Sequence, residues 1–290
     1  MTPGFHRTLL LAWACVAAAC GDGSSPGTST NGSAASDPVC DDGESRGSSG
    51  SPAATGGFEA GRFDGWMEEF AGPHSGQVVT SPVRCGAYAA RFEWRAGDVG
   101  GPVGGYRAEV HDILNYIAPA GSENWYSLST MIPEDWPDLD AGVVITQWHA
   151  TPDLADGEVW RSPPLAIRYS GTRLWVTARH SAEKIQTAND GTSVELYDHP
   201  GEFTKGVWHD WVFRVRWDHG DGGIVDAWLD GDRAISYRGP IGYNDDFGVW
   251  FKIGLYRGRE EHPETLVIHH DEYRRSDTCE GIAPELCAPE

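Results

Sequence analysis

The chain has 290 residues, with 22 Lys and Arg against 43 Asp and Glu for a formal charge of −21, and it carries 37 Gly, 18 Pro and 13 Trp. A hydrophobic share of 40% with 11% aromatic residues can fill the core of one large domain or two small ones. The charge argues against a surface that holds nucleic-acid phosphates by counterion release, and the Gly and Pro content with short β-branched and aromatic runs argues against a helical bundle.

Residues 1–19 read as a signal peptide: Arg7 supplies the positive start and 9–19 the apolar stretch, too short to span a bilayer as a mature helix. Ala17, Ala18 and Ala19 stand directly before Cys20. This resembles a bacterial lipobox, in which the thiol is lipidated and becomes the new N-terminus, with Ala17 in place of the usual Leu. The expectation is a protein exported from a bacterial cell and anchored through a lipid on Cys20, otherwise secreted, with no other membrane contact. Residues 20–57 are rich in Gly, Ser, Thr and Pro and have almost nothing to bury, so they read as a tether. Cys40, Cys85, Cys279 and Cys287 lie in the exported part, where disulfides are the default, and allow three connectivities. The short separation of Cys279 and Cys287 around Pro284 favours a local loop, leaving Cys40 to pair with Cys85. No cysteine or histidine spacing suggests a metal site.

Residues 58–278 show no internal repeat and no long helical period, and 279–290 read as a short tail. Strand-like runs occur at 125–129, 143–149, 165–169, 174–178, 211–217, 225–229, 249–256 and 266–270, with turn signals at 170–172, 218–223 and 230–232. This predicts an all-β, single-domain two-sheet sandwich or jelly roll.

Three of these segments carry polar residues that a structural sheet does not require. Side chains alternate across a strand, so in 106–110 Arg107 and Glu109 share one face while Tyr106, Ala108 and Val110 share the other. In 144–149 Gln147 and His149 are expected on one face, opposite Val144, Thr146 and Trp148. In 250–256 Lys252, Gly254 and Tyr256 share a face and Phe251, Ile253 and Leu255 point to the core, with Gly254 read as leaving room for something to lie across the strand.

Arg-x-Glu-Val, Gln-x-His and Phe-Lys-x-Gly-x-Tyr, in this order and with this alternation, resemble the signature strands of the jelly-roll polysaccharide lyases, the group of the alginate, glucuronan and heparin I-type lyases. Trp148 and Ile253 stand where alginate lyases usually have Ile and Ala, which moves the likeness towards the heparin and glucuronan branch. The resemblance implies a concave sheet that binds an anionic, uronate-containing polysaccharide and cuts it by β-elimination, with no cofactor required and a structural calcium left open, as in some relatives. Removing the C5 proton beside a carboxylate builds negative charge on an anionic group, so the site needs donors, for which Arg107 and Gln147 fit. His149 and Tyr256 are the candidate base and acid. Lys252 would help the phenol give up its proton or bind a substrate carboxylate, and Glu109 would hold Arg107.

Arg214 and Arg216 alternate with Trp211, Phe213, Val215 and Trp217, and either line the cleft as substrate-binding cations or face solvent. His269 and His270 are adjacent, hence on opposite faces, and read as structural. A chain this acidic repels a polyanion at long range, which favours a plain polyuronate over a sulfated one unless Arg107, Lys252, Arg168, Arg179, Arg214 and Arg216 cluster. A monomer is expected. The alternative reading is a non-catalytic glycan-binding module on the same scaffold.

Overall fold

The computed structural model describes residue 40 and residues 56–101, 104–139, 141–258 and 264–287. The signal peptide, Cys20 and almost all of the tether lie outside the described residues. In chain order the strands are β1 (Met67–Glu69), β2 (Gly76–Val79), β3 (Ala89–Trp94), β4 (Tyr106–His111), β5 (Glu123–Met131), β6 (Val143–Ala150), β7 (Leu165–Tyr169) and β8 (Leu174–Ser181). There follow β9 (Thr192–Asp198), β10 (Trp208–Arg216), β11 (Ile224–Leu229), β12 (Asp232–Arg238), β13 (Gly242–Tyr243), β14 (Val249–Arg257) and β15 (Leu266–Ser276). Among the described residues there is no α-helix, only three single 3-10 turns.

A front sheet runs β1-β4-β14-β6-β7-β8-β13, with β9 also pairing β8, and a back sheet runs β12-β11-β10-β5-β15-β3-β2. All pairing is antiparallel except β13 with β8. The chain is an all-β jelly-roll sandwich. Its turns follow the sequence signals: 170–172 joins β7 to β8, 218–223 joins β10 to β11, and Asp230 and Gly231, both with positive φ, close the hairpin from β11 to β12.

Alternation sorts each strand into a core face and an outer face. Trp211, Phe213 and Val215 of β10 are fully buried, as are Phe251, Ile253 and Leu255 of β14 and Trp148 of β6. The Trp148 ring sits 4.9 Å from that of Phe213 and 5.2 Å from that of Phe251, so the two sheets interlock through aromatic edges beneath the centre of the front sheet. This geometry corrects one expectation. Arg214 and Arg216 face outward from the back sheet, on the opposite side of the sandwich from the three motif strands: Arg214 bonds Glu123 at 2.7 Å and Arg216 donates to the Gly222 carbonyl. They do not line the face that carries His149 and Tyr256.

A second correction concerns β6. Its register shifts against β7 between Val144 and Thr146, and β14 shifts against β6 between Ile253 and Tyr256. An extra residue slips the alternation, so Val144 pairs with both Tyr256 and Arg168 and shares the outer face with Gln147 instead of opposing it.

Disulfides join Cys40 to Cys85 and Cys279 to Cys287. Beside the first, Arg84 holds Asp210 on the outer face of β10 at 2.8 Å, and the Arg84 backbone N–H donates to Asp271 of β15. The second closes the tail into a clip that packs Ile282 and Ala283 against Trp125. His269 and His270 are both buried in β15, and the His270 ring meets Thr130 at 3.1 Å.

Candidate active site

The outer face of the front sheet gathers the motif residues in rows set by strand register. Arg107 of β4, Tyr256 of β14, Val144 of β6 and Arg168 of β7 form one row. His111, Lys252, Gln147 and Ala166 form another, and Trp250 with His149 a third. Between the first two rows Glu69 of β1 pairs with Glu109 of β4, which pairs with Gly254. Thus Arg107, Glu109, Gln147, His149, Lys252 and Tyr256 share one face, with Tyr256 and His149 on either side of the Lys252–Gln147 row.

Gly254 is fixed by its neighbours rather than by an occupant above it. Its φ is +127°, and a Cβ there would lie 2.2 Å from the Ala108 carbonyl oxygen. The side chain is excluded by the adjacent strand, which corrects the reading of Gly254 as room left for a ligand.

Beneath the face lies an ion-pair network whose key acid the motifs did not reveal. Glu69 accepts from Lys252 and from Arg107, the latter at 2.9 Å. Glu109 lies 2.9 Å from Lys252 and 3.5 Å from Arg107, and it accepts from the Gln147 amide. Two carboxylates therefore meet two cations in a buried cluster of zero net charge. Burial would raise the Glu69 carboxyl, but Lys252 and Arg107 outweigh it and hold it at about 2. Burial would lower the Arg107 guanidinium, but Glu109 and Glu69 outweigh it and raise it. Lys252 is fully buried and saturated by the two acids. It cannot reach a substrate carboxylate from there, which corrects its assignment to substrate binding, and its ammonium is held by Glu69 and Glu109 rather than by Tyr256.

His149 is half-buried. Its Nδ1 lies 2.7 Å from the Ala150 carbonyl, an acceptor, so Nδ1 carries the proton and Nε2 presents a bare lone pair. Burial first, and Lys252 second, lower the imidazole to about 3, so it is neutral at neutral pH. Trp250 lies tilted against it with ring centres 5.2 Å apart, and the half-exposed Trp160 flanks it at 5.7 Å. His111, on the Arg107–Glu109 face, contacts Trp250 at 4.7 Å and is lowered to about 4, chiefly by burial. Alternation from Arg107 and Glu109 could have placed it there. Arg107 also lies over the Tyr256 ring, 4.8 Å from its centre.

The segment carrying Trp160 is pinned by a second knot. Asp153, Glu158 and Asp245 bring ligand-type oxygens within 4.8 Å of one another. Arg161 already bonds Glu158 at 2.9 Å and Asp245 at 2.7 Å, and Lys184 bonds Asp153 at 2.9 Å. Two side-chain cations thus engage all three carboxylates and tie the segment that carries Trp160 to Asp245.

A jelly roll with an imidazole, a phenol and a guanidinium on one sheet face has the make-up of a carbohydrate-active enzyme. The family profile described as polysaccharide lyase matches residues 58–274, and the chain belongs to that family. It is a carbon–oxygen lyase acting on polysaccharides. Among solved structures, it resembles the endo-β-1,4-glucuronan lyase of the fungus Trichoderma reesei at 20% identity, over 78% of this chain and 96% of that one, with a TM-score of 0.66. It also resembles the family 7 alginate lyase A1-II′ in complex with its product, at 15% identity over 77% of this chain and 99% of that one, with a TM-score of 0.55. At these identities the likeness carries the fold. A search of the curated proteins finds no match.

Proposed function

We propose that the protein cleaves a uronate-containing anionic polysaccharide by β-elimination, leaving 4,5-unsaturated uronate ends. Arg107 binds the carboxylate of the unit that loses its C5 proton, backed by Gln147, which is buried and donates to Glu109, so that the charge built up on removal of that proton is met by a fixed donor. The electron pair left at C5 forms the C4–C5 double bond, the C4–O4 bond breaks, and the leaving oxygen takes a proton from Tyr256. His149 takes the C5 proton where it lies across the ring from O4, and where the two lie on one face Tyr256 takes it and returns a proton to the leaving oxygen. An anionic substrate beside the imidazole raises its proton affinity towards the range a base needs. Glu69, Glu109 and Lys252 act as positioning residues for Arg107 and Gln147.

The observation that carries this reading is the single sheet face on which Arg107 lies over the Tyr256 ring, a face that also holds the bare Nε2 of His149 fixed by the Ala150 carbonyl. Glu69 and Glu109 are tied into ion pairs with Arg107 and Lys252, which suits them poorly as the acid and base of a hydrolase. The glucuronan and alginate lyases that share the fold favour a plain polyuronate as substrate.

The test is incubation with glucuronan and with the same polymer after carboxyl reduction. Product absorbing in the ultraviolet is expected from the first alone, and Arg107→Ala should slow its formation by about a hundredfold or more. Equal rates on the two polymers would sink the assignment.

We also propose that the protein is exported and lipid-anchored at Cys20, with no cofactor taking part in the reaction. Wild type should fractionate with membranes and Cys20→Ala should be released. A Cys20→Ala protein that stays membrane-bound contradicts this.

A further inference from the structure

The catalytic half of the front face carries no spare positive charge, because Arg107 and Lys252 are matched by Glu69 and Glu109. The neighbouring half differs. Arg168 of β7 lies on the outer face, since Leu165, Ile167 and Tyr169 fill the core, and Arg179 of β8 does so because Leu174, Val176 and Ala178 fill it. Among the described residues neither arginine has a carboxylate partner, whereas Arg107, Arg173, Arg214 and Arg238 each hold one. Glu195, the acid in register on β9 opposite Thr177, is engaged by Arg173.

Arg168 donates from Nε to the Thr177 hydroxyl at 3.2 Å, which leans it along the sheet towards Arg179. Arg179 reaches only the Gly191 carbonyl, at 3.5 Å, and its buried Nε has no partner. Both are half-buried. Burial, and then the charge of Arg179, lower the Arg168 guanidinium to about 10. Holding two like cations partly desolvated without a counter-charge is unfavourable, and an anion between them removes that cost. Arg168 stands in the Tyr256 row two strands away, hence about 10 Å from the phenol's strand at the usual spacing.

We propose that Arg168 and Arg179 form an anion subsite that binds the carboxylate of a uronate unit further along the chain than the bond that is cut. The assignment rests on the elimination reading and deepens it: the acidic chain attracts a polyanion here, through the one pair of unmatched cations on this face among the described residues.

The test uses the full chain with glucuronan. Arg168→Gln with Arg179→Gln should raise KM at least tenfold while kcat falls less than threefold. The same pair in a Tyr256→Phe background should weaken binding to glucuronan at least tenfold by affinity electrophoresis. Unchanged KM and binding overturn the proposal, as does a kcat loss that exceeds the KM change. Arg168→Lys with Arg179→Lys keeps the charge and should restore most of the affinity. Should the Gln variants not fold, failure of the Lys variants to bind glucuronan overturns it. Heparin serves as the sulfated arm: if it binds tighter than glucuronan and loses more in the Gln variants, the anion is a sulfate and the carboxylate assignment is wrong. If wild type forms no ultraviolet-absorbing product from any polyuronate, the elimination reading fails, while the binding measurement still decides on the arginine pair.

Discussion

Tyr256→Phe should lower product formation by about three orders of magnitude on every polyuronate, the middle of the range for a lost acid–base group. The substitution keeps the ring over which Arg107 lies, so the fold and the guanidinium position should survive and the loss should fall on kcat. His149→Ala then separates substrates by stereochemistry. In glucuronate or mannuronate the C5 proton and O4 lie on the same face of the ring, so Tyr256 alone can take one proton and return one. In guluronate or iduronate they lie on opposite faces, and both His149 and Tyr256 are required. His149→Ala should therefore retain measurable activity on glucuronan and none on an epimerised polymer. Substantial elimination by Tyr256→Phe would hand the acid role to a water, because Lys252 is sealed between two carboxylates.

Lys252→Met should destabilise the protein by about 3–5 kcal/mol, the usual cost of leaving a buried charge without its partner. Its removal leaves Glu69 and Glu109 facing each other below the site with Arg107 alone to hold them. Denaturant unfolding checks this, with Arg216→Met, on the back sheet's outer face, as the comparison expected to change stability by about 0.5 kcal/mol or less. Adding Glu69→Gln to Lys252→Met should recover part of the loss, since the two side chains act as one unit. A Lys252→Met protein within about 1 kcal/mol of wild type would mean that the cluster is solvated like a surface pair.

What the sequence discloses here depends on what alternation can encode. It assigns faces, and so Arg107, Glu109, Gln147, His149, Lys252 and Tyr256 could be read as sharing one, and the core positions of β10 and β14 as opposing it. Alternation does not say which of two sheets a strand joins, which is why Arg214 and Arg216 could be read either as lining the cleft or as facing solvent. Nor does it give depth: Lys252 is on the expected face but lies below it, drawn down by Glu69. That acid was invisible because β1 has three residues, too few for a period, and meets β4 some forty positions on. Val144 was misplaced because a register shift leaves no mark in composition.

The Cys40–Cys85 bond bears on how the enzyme is presented to its substrate. Cys85 follows Arg84, which grips Asp210 on the outer surface of the back sheet, so the covalent attachment of residue 40 lies on that side of the sandwich. Polymer that reaches the face of His149 and Tyr256 therefore does not meet this disulfide, which closes on the far side of the sandwich.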